Sequence, residues 1–284
     1  SIDMLETNYK DIFKVDRNKL DEIDPEIFQL LEFWKSNKNE ILVSTSGSTG
    51  IPKEIKISRQ QLINSSKATL RYFKIKENST FLNCLPVRYI GGKMMIIRGI
   101  IGKANFVLCK PSINPVRKLQ KEIDFMAITP LQLDSLLKNI TIFSKIRLVI
   151  VGGGKVSENL IEQLQDIPYD CFETYGMTET VSHIAVRNLK KPTENNPFKC
   201  LENNSVTTNS NDQLVINSKH LKISSLTTND IAKVTGNKYF TINGRVDNII
   251  NSGGFKVSSE NIEELLYEIF QNKFFFIDKI KCDK

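Results

Sequence analysis

RLVIVGGGKVSENLIEQLQ, Arg147 to Gln165, holds three kinds of structure in one short run. Arg147 to Val151 is apolar and β-branched, the composition of a strand. Gly152, Gly153 and Gly154 break it, because glycine tolerates backbone angles that close a tight turn. A helical stretch follows from Ser157 to Gln165. Strand, glycine turn and helix form the repeating unit of a parallel α/β sheet.

Outward from this run the same alternation continues. Thr80 to Leu85, Ala104 to Leu108, Phe125 to Thr129 and Cys171 to Tyr175 read as strands, and Met94 to Ile101 and Pro130 to Leu137 as helices. Leu20, Ile23, Ile27, Leu30, Leu31 and Trp34 fall at helical spacing, with Asp24-Pro25 as N-cap and first turn. Ser58 is placed to cap a helix running to about Tyr72. The fold class expected is α/β: a large N-terminal domain with mostly parallel sheets and a β-rich subdomain, then a small C-terminal domain, which the family resemblance given below implies is an abbreviated lid domain. Residues 191–213 are polar and rich in Asn, and read as loop. Gln213 to Ile216, Ile231 to Val234 and Tyr239 to Asn243 read as antiparallel β structure, and Ser259 to Phe270 as helix. The domain boundary is expected near Gly244–Asp247, dividing 1–246 from 247–284.

Composition narrows the function. The 284-residue chain carries a net charge of +7 and a pI near 9.0, which suits an anionic partner. Its lysines are dispersed and not gathered into a basic module, which argues against nucleic acid. No apolar run reaches the ~18 residues of a membrane span, and the first residues lack a signal-peptide core. The five cysteines are odd in number and without a CxxC, so reduced thiols in a cytoplasmic protein are expected. The two histidines, His183 and His220, lie far apart, which disfavours a histidine metal site.

A second stretch carries the chemistry. STSGSTGIPKEI, Ser44 to Ile55, follows the apolar Ile41-Leu42-Val43. Glycines admit close backbone N–H groups, hydroxyls donate hydrogen bonds, and lysine adds charge, all of which suit phosphate. The stretch departs from GxxxxGK[ST]: Ile51 and Pro52 separate Gly50 from Lys53, no Ser or Thr follows the lysine, and Ile55-Lys56-Ile57 alternates like a strand. A polar hairpin turn is the plain alternative.

The layout S-G-S-T-G-I-P-K resembles the phosphate loop of the adenylate-forming superfamily, which includes acyl-CoA synthetases. Tyr175-Gly176-Met177-Thr178-Glu179-Thr180 resembles its YGxTE motif. Thr228-Asn229-Asp230 stands where the family has TGD. Gly244-Arg245-Val246-Asp247 and the later Gly253-Gly254 resemble its GRxD hinge and following turn. Four motifs in the family's order cover roughly residues 40 to 284.

The resemblance implies an ATP-dependent acid–thiol ligase, forming an acyl-adenylate and then a thioester with coenzyme A. It implies that Ser46, Gly47, Ser48, Thr49, Gly50 and Lys53 hold the outer phosphates of ATP. Thr178 then binds the α-phosphate, and Glu179 holds Mg²⁺. Gly152, Gly153 and Gly154 lie against adenine with Tyr175 packing on the ring. Asp230 accepts from the ribose hydroxyls, Arg245 reaches ribose or phosphate, and Asp247 is the hinge. For Gly152–Gly154 a plain strand-to-helix turn remains the alternative, for Asp230 a turn cap, and for Arg245 with Asp247 a simple salt bridge.

Within the superfamily, LPVRYIGG, ITPLQL, VGGGKVSENL and YGMTETVSHIA most resemble o-succinylbenzoate–CoA ligases. That substrate is a dianion, which implies a basic pocket with Arg98, Lys93 and Arg88 as candidates. Ser182, His183, Thr129 and Gln132 are candidates to line it, with a core histidine as the alternative for His183. Phe276 to Lys284 resembles the lead-in to the family's C-terminal lysine motif, and no lysine is assigned. Another aryl- or acyl-CoA ligase, or a nucleotide-binding protein without full turnover, stays open beside the leading reading.

Overall fold

The structure is a computed structural model that describes residues 3–45, 53–116, 119–190, 195–252 and 255–258, with Ile262 and Leu266. It divides into two units: Ser1–Asn203 with His220–Lys222, and Asn204–Lys219 with Ile223–Lys284.

The first unit opens with β1 (Met4–Asn8) and two helices, α1 (Arg17–Ile23) and α2 (Pro25–Lys35). One residue makes the corner between the helices. Asp24 Oδ1 accepts from Glu26 N at 3.0 Å, and Pro25 takes the first helical position, where its missing N–H is no loss. Asp24 Oδ2 accepts from Val87 N at 2.8 Å, tying this corner to the loop before a later helix.

β2 (Glu40–Ser44) and β3 (Glu54–Ser58) pair antiparallel, so the Ser44–Ile55 stretch leads from strand to strand and opens no Walker-type helix. Ser58 then caps α3 (Arg59–Tyr72) through a reciprocal pair with Gln61: Ser58 N donates to Gln61 Oε1 at 2.8 Å, and Gln61 N to Ser58 Oγ at 3.2 Å.

From there strands and helices alternate as expected. β4 (Thr80–Asn83), α4 (Ile90–Ile101), β5 (Asn105–Cys109), β6 (Phe125–Ile128), α5 (Pro130–Leu137), α6 (Ile140–Phe143), β7 (Leu148–Val151), α7 (Glu158–Leu164) and β8 (Asp170–Gly176) follow in order. The strand order β5-β4-β6-β7-β8 is parallel at every step. β1 covers the β5 edge antiparallel, and β9 (His183–Asn188) and β10 (Phe198–Cys200) extend the β8 edge antiparallel. Leu82, Val107, Met126, Ile128, Val149 and Val151 of the strands are buried with Leu133, Leu136, Ile161 and Leu164 of the helices. α4 is buried almost all round from Gly92 to Gly99, which is why its sequence shows no polar face.

The second unit is an antiparallel meander, β14-β13-β12-β11, built from β11 (Asn204–Thr208), β12 (Gln213–Ser218), β13 (Ile223–Thr235) and β14 (Tyr239–Arg245). β15 (Ile249–Ser252) and β16 (Phe255–Ser258) pair antiparallel after it.

One expectation is corrected and another is extended. Residues 191–213 are not all loop, since β10 and β11 lie within them. Phe198, Cys200, Asn204 and Val206 are buried at alternate positions, a two-residue period that intervening polar residues hide in the sequence. The strand expected at Ile231–Val234 is the end of β13, 13 residues long. The helix expected over 259–270 lies outside the described residues except at Ile262 and Leu266, both helical, and the Gly253-Gly254 turn lies outside them entirely.

Candidate functional site

In the first unit the candidate residues collect at the carboxyl ends of adjacent parallel strands, where open α/β sheets bind ligands. Thr129 follows β6, Gly152–Gly154 follow β7, and Tyr175 lies at the end of β8. Gly152 N donates to Ile128 O at 3.0 Å, and Thr174 Oγ1 donates to Val151 O at 3.1 Å. A Cβ on Gly152 would meet Thr174 Oγ1 at 2.6 Å, and Gly153 has φ +82°, so two of the three glycines are dictated by geometry. Tyr175 is half-buried, its ring 5.8 Å from that of Phe198.

The run after Tyr175 is a knot of short hydrogen bonds. Thr178–Thr180 form one 3₁₀ turn, with Thr178 half-buried and Glu179 exposed. Thr180 Oγ1 accepts from Met177 N at 2.9 Å and donates to Ser182 O at 2.7 Å. Val181 is held at φ 67°, a conformation that costs a β-branched residue about 1–3 kcal/mol. Gly176 is forced, since a Cβ there would sit 2.2 Å from Ser182 O and 2.5 Å from His183 Cα.

This knot delivers Ser182 and His183 to Arg98. Arg98 is 1% exposed, and its Nη2 donates to Ser182 Oγ at 2.6 Å. Ser182 Oγ lies 3.4 Å from His183 Nδ1, and His183 Nε2 lies 2.9 Å from Thr69 Oγ1. Thr69 Oγ1 in turn donates to Ser65 O at 3.2 Å. The donors run one way, from the guanidinium through Ser182 to a neutral His183 protonated at Nε2, and on to a backbone carbonyl. Burial, then the charge on Arg98, holds the His183 imidazole well below the usual histidine range. Burial pushes the Arg98 guanidinium down to about 9, so it stays charged at neutral pH. Among the described residues no carboxylate pairs with it, and its Nε has no hydrogen-bond partner.

The other basic candidates sit differently. Lys93 is buried and donates to Val87 O at 2.7 Å, which fixes the loop ahead of α4, and burial lowers its pKa. Arg88 is exposed. Thr129 caps α5, accepting from Gln132 N at 3.3 Å, while Gln132 Nε2 donates to Ser112 O at 2.8 Å. Ser46, Gly47, Ser48, Thr49 and Gly50 lie outside the described residues. Lys53 is exposed at the far end of that loop, where Thr45 N donates to Lys53 O at 2.9 Å and Lys53 N to Thr45 Oγ1 at 3.1 Å.

In the second unit Arg245 links two carboxylates. Its Nη1 lies 3.4 Å from Asp230 Oδ1 and its Nη2 3.3 Å from Asp247 Oδ2. Thr228 Oγ1 accepts from Asp230 N at 3.1 Å, and Asn229 Nδ2 donates to Asp247 Oδ2 at 3.3 Å. The salt bridge read as the plain alternative for Arg245 is therefore present, and it includes Asp230. Among the described residues no group of three His, Cys, Asp or Glu side chains forms a metal cage. An exposed single carboxylate such as Glu179 suits Mg²⁺ that shares phosphate oxygens and water.

Sequence reasoning missed Thr69, Glu173, Arg187 and Phe198. Glu173 is 3% exposed and accepts from Arg187 Nε at 2.7 Å and Val156 N at 3.2 Å. The available signal was a glutamate and an arginine inside two expected or neighbouring β runs, which pair across β8 and β9 in the fold.

Residues 19–203 match the AMP-binding enzyme family. The 2-succinylbenzoate–CoA ligase of Escherichia coli (strain K12) is 25% identical over 250 residues, covering 82% of this chain and 53% of that protein. The chain thus spans about half the length of the curated relatives it matches. An acyl-CoA synthetase (AMP-forming)/AMP-acid ligase II-like protein from Dyadobacter fermentans is 30% identical with a TM-score of 0.77, over 96% of this chain and 80% of that one. The o-succinylbenzoate coenzyme A synthetase of Bacillus subtilis, solved with ATP and magnesium ion, shares the fold at a TM-score of 0.70. Its identity is 20%, over 86% of this chain and 62% of that one.

Proposed function

This chain belongs to the AMP-binding enzyme family, and on that premise we propose that it is an ATP- and Mg²⁺-dependent acid–thiol ligase acting on o-succinylbenzoate. One observation carries the choice of substrate: Arg98 is a buried cation without a carboxylate partner among the described residues, presented through Ser182. A guanidinium buried in this way costs several kcal/mol unless an anion meets it. The substrate named for the curated relatives is a dianion, with one carboxylate to activate and a second left for recognition. Arg98 binds the second through guanidinium N–H groups that Ser182 does not occupy, since the one Ser182 proton is committed to His183. The neutral His183 holds the Ser182 hydroxyl in line and adds no competing charge.

The remaining roles follow the motifs. Lys53 and the Ser46–Gly50 loop bind the outer phosphates, Thr178 the α-phosphate, and Asp230 with Arg245 the ribose. Gly152–Gly154 and Tyr175 form the two walls for adenine. Glu179 would hold Mg²⁺, which when bound supplies charge neutralisation at the phosphates. The chain's own part is to orient a carboxylate oxygen toward the α-phosphate and keep it there. Residues 247–284 belong to the lid, with Asp247 its hinge. The site of action is the cytoplasm, consistent with the buried thiols of Cys84, Cys109 and Cys171, which form no disulfide among the described residues. No helix among the described residues is long and apolar enough to cross a membrane.

The test is pyrophosphate release from ATP and Mg²⁺ with o-succinylbenzoate, with and without coenzyme A, against aryl and fatty acids. Release selective for o-succinylbenzoate, with thioester appearing on addition of coenzyme A, is expected. Selectivity for another acid makes it a different acyl-CoA ligase. ATP binding without release for any acid makes it a nucleotide-binding protein. Lys53→Ala should raise the KM for ATP, and Glu179→Gln should raise the Mg²⁺ requirement.

A further inference from the structure

The ion pair between Glu173 and Arg187 lies outside every role assigned so far, yet it is the best-enclosed charge pair among the described residues. The side chains are 5% and 14% exposed. Glu173 on β8 stands directly across from Arg187 on β9. On the far side of β9, Lys199 of β10 stands across from Val186, which brings the preceding Phe198 beside Arg187. Three side chains therefore lie in a row across three strands. The Arg187 guanidinium carbon is 4.8 Å from the centroid of the Phe198 ring.

Both ends of this row reach the proposed adenine walls. At one end, Glu173 Oε1 accepts from Val156 N at 3.2 Å, two residues beyond Gly154, while its other oxygen accepts from Arg187 Nε at 2.7 Å. At the other end, the Phe198 ring leans on the Tyr175 ring at 5.8 Å and an interplanar angle of 57°. Tyr175 is two residues along β8 from Glu173, so it points to the same face of the sheet. One wall is thus held through Glu173 and the other through Phe198, with Arg187 between them.

Stability alone is a poor account of such a pair. A buried ion pair is often no better than a well-packed apolar replacement, because desolvation opposes the attraction. Its planar, forked geometry instead fixes distance and direction. Burial also pushes the Glu173 carboxyl up from its ordinary value, against the pull of Arg187.

We propose that Glu173, Arg187 and Phe198 are positioning residues that set the gap between the Gly152–Gly154 turn and the Tyr175 ring, and so select adenine over other bases. This rests on the reading of the turn and Tyr175 as adenine walls. None of the three touches the base; each acts through Val156 or Tyr175.

The experiment measures affinity for ATP, GTP and inorganic tripolyphosphate in Arg187→Met, Arg187→Lys and Phe198→Leu, together with the KM and kcat of pyrophosphate release. Arg187→Met and Phe198→Leu are expected to weaken ATP about tenfold, equivalent to about 1.4 kcal/mol. The ATP-to-GTP ratio should fall toward one, with tripolyphosphate binding unchanged and kcat within about twofold. Arg187→Lys keeps the charge but not the planar fork, so it should restore thermal stability without restoring the ratio. A purely structural role would lower Tm and the active fraction and leave the ratio intact, and that result overturns the proposal. Where Arg187→Met does not fold, Phe198→Leu decides, because it leaves the ion pair in place. Tyr175→Ala separates the two levels. If it leaves the ATP-to-GTP ratio unchanged, the adenine walls are misassigned. If it abolishes the ratio while the Arg187 and Phe198 variants keep it, the positioning role alone is wrong.

Discussion

Arg98→Met sets stability against binding and tests the substrate assignment directly. The side chain is 1% exposed, has one strong hydrogen bond, to Ser182 Oγ at 2.6 Å, and leaves Nε without a partner. Methionine roughly fills the same volume without charge. Replacing buried charge by apolar side chains of similar volume is often neutral or stabilising by about 1–4 kcal/mol. Losing the Ser182 hydrogen bond returns about 1 kcal/mol of that. A net gain of about 2 kcal/mol raises Tm by roughly 4–8 °C in a chain of this size class. The acid moves the other way. A hydrogen bond to a charged group is worth about 1.5–3 kcal/mol, so affinity for o-succinylbenzoate should fall about 10- to 150-fold. ATP affinity should hold. The assays are thermal melting of the ligand-free protein and titration calorimetry with the acid and with ATP separately. A lower Tm with unchanged acid affinity would refute the reasoning, because it would mean that the fold itself satisfies the Arg98 charge.

Three further outcomes follow from the same geometry. His183 is neutral in the fold, whereas in the unfolded chain it protonates below about 6.5. The unfolded state therefore binds the extra proton, and stability falls with pH below that value by up to about 1.4 kcal/mol per unit. His183→Gln removes this slope, so urea titrations at pH 7, 6 and 5 should show the gap between wild type and variant closing as pH falls; a constant gap contradicts the assignment. Gly176→Ala drives a Cβ to 2.2 Å from the Ser182 carbonyl oxygen, and overpacking of this kind costs about 1–3 kcal/mol, read as a lower urea midpoint. Burial pushes the Cys109 and Cys171 thiols up to about 12, so peptide mapping after alkylation at pH 8 should find both unmodified until the protein is denatured.

What the sequence disclosed follows from how each element is buried. β6 and β7 are buried on both faces, so Phe125–Ile128 and Leu148–Val151 are plain apolar runs with sharp ends. α3 and α5 announce themselves through Ser58 with Gln61 and Thr129 with Gln132, because a capping box is local chemistry. β10 and β11 escaped because half their positions face outward and carry Lys, Ser and Thr, so the alternation drowns in a polar background. The site divides in the same way. The Tyr175–Thr180 motif is contiguous and legible. The link from Arg98 to Ser182 spans 84 residues and that from Thr69 to His183 spans 114, separations no local pattern encodes. Arg98 itself left a trace: it is the charge that interrupts the apolar run Met94–Ile101.

Two arginines of the first unit, the buried Arg98 and the largely enclosed Arg187, make opposite use of their charge. Arg187 is compensated by Glu173 and stacked on Phe198, so its electrostatics close within the fold and serve geometry. Among the described residues Arg98 meets the hydroxyl of Ser182 and, at 4.0 Å, the sulfur of Met95, with no carboxylate beside it. A fold selected for stability alone would not leave a cation there, nor would it hold Val181 at φ 67° one residue before Ser182. Both departures converge on the same few atoms, while β6 and β7 are plain apolar runs. Departures from local consistency are expected where a ligand completes the structure. On the proposed reading, an anion that meets the Arg98 guanidinium offsets the cost of burying it. That argument rests on burial and charge and stands apart from the motifs, which led to the same proposal of a carboxylate substrate.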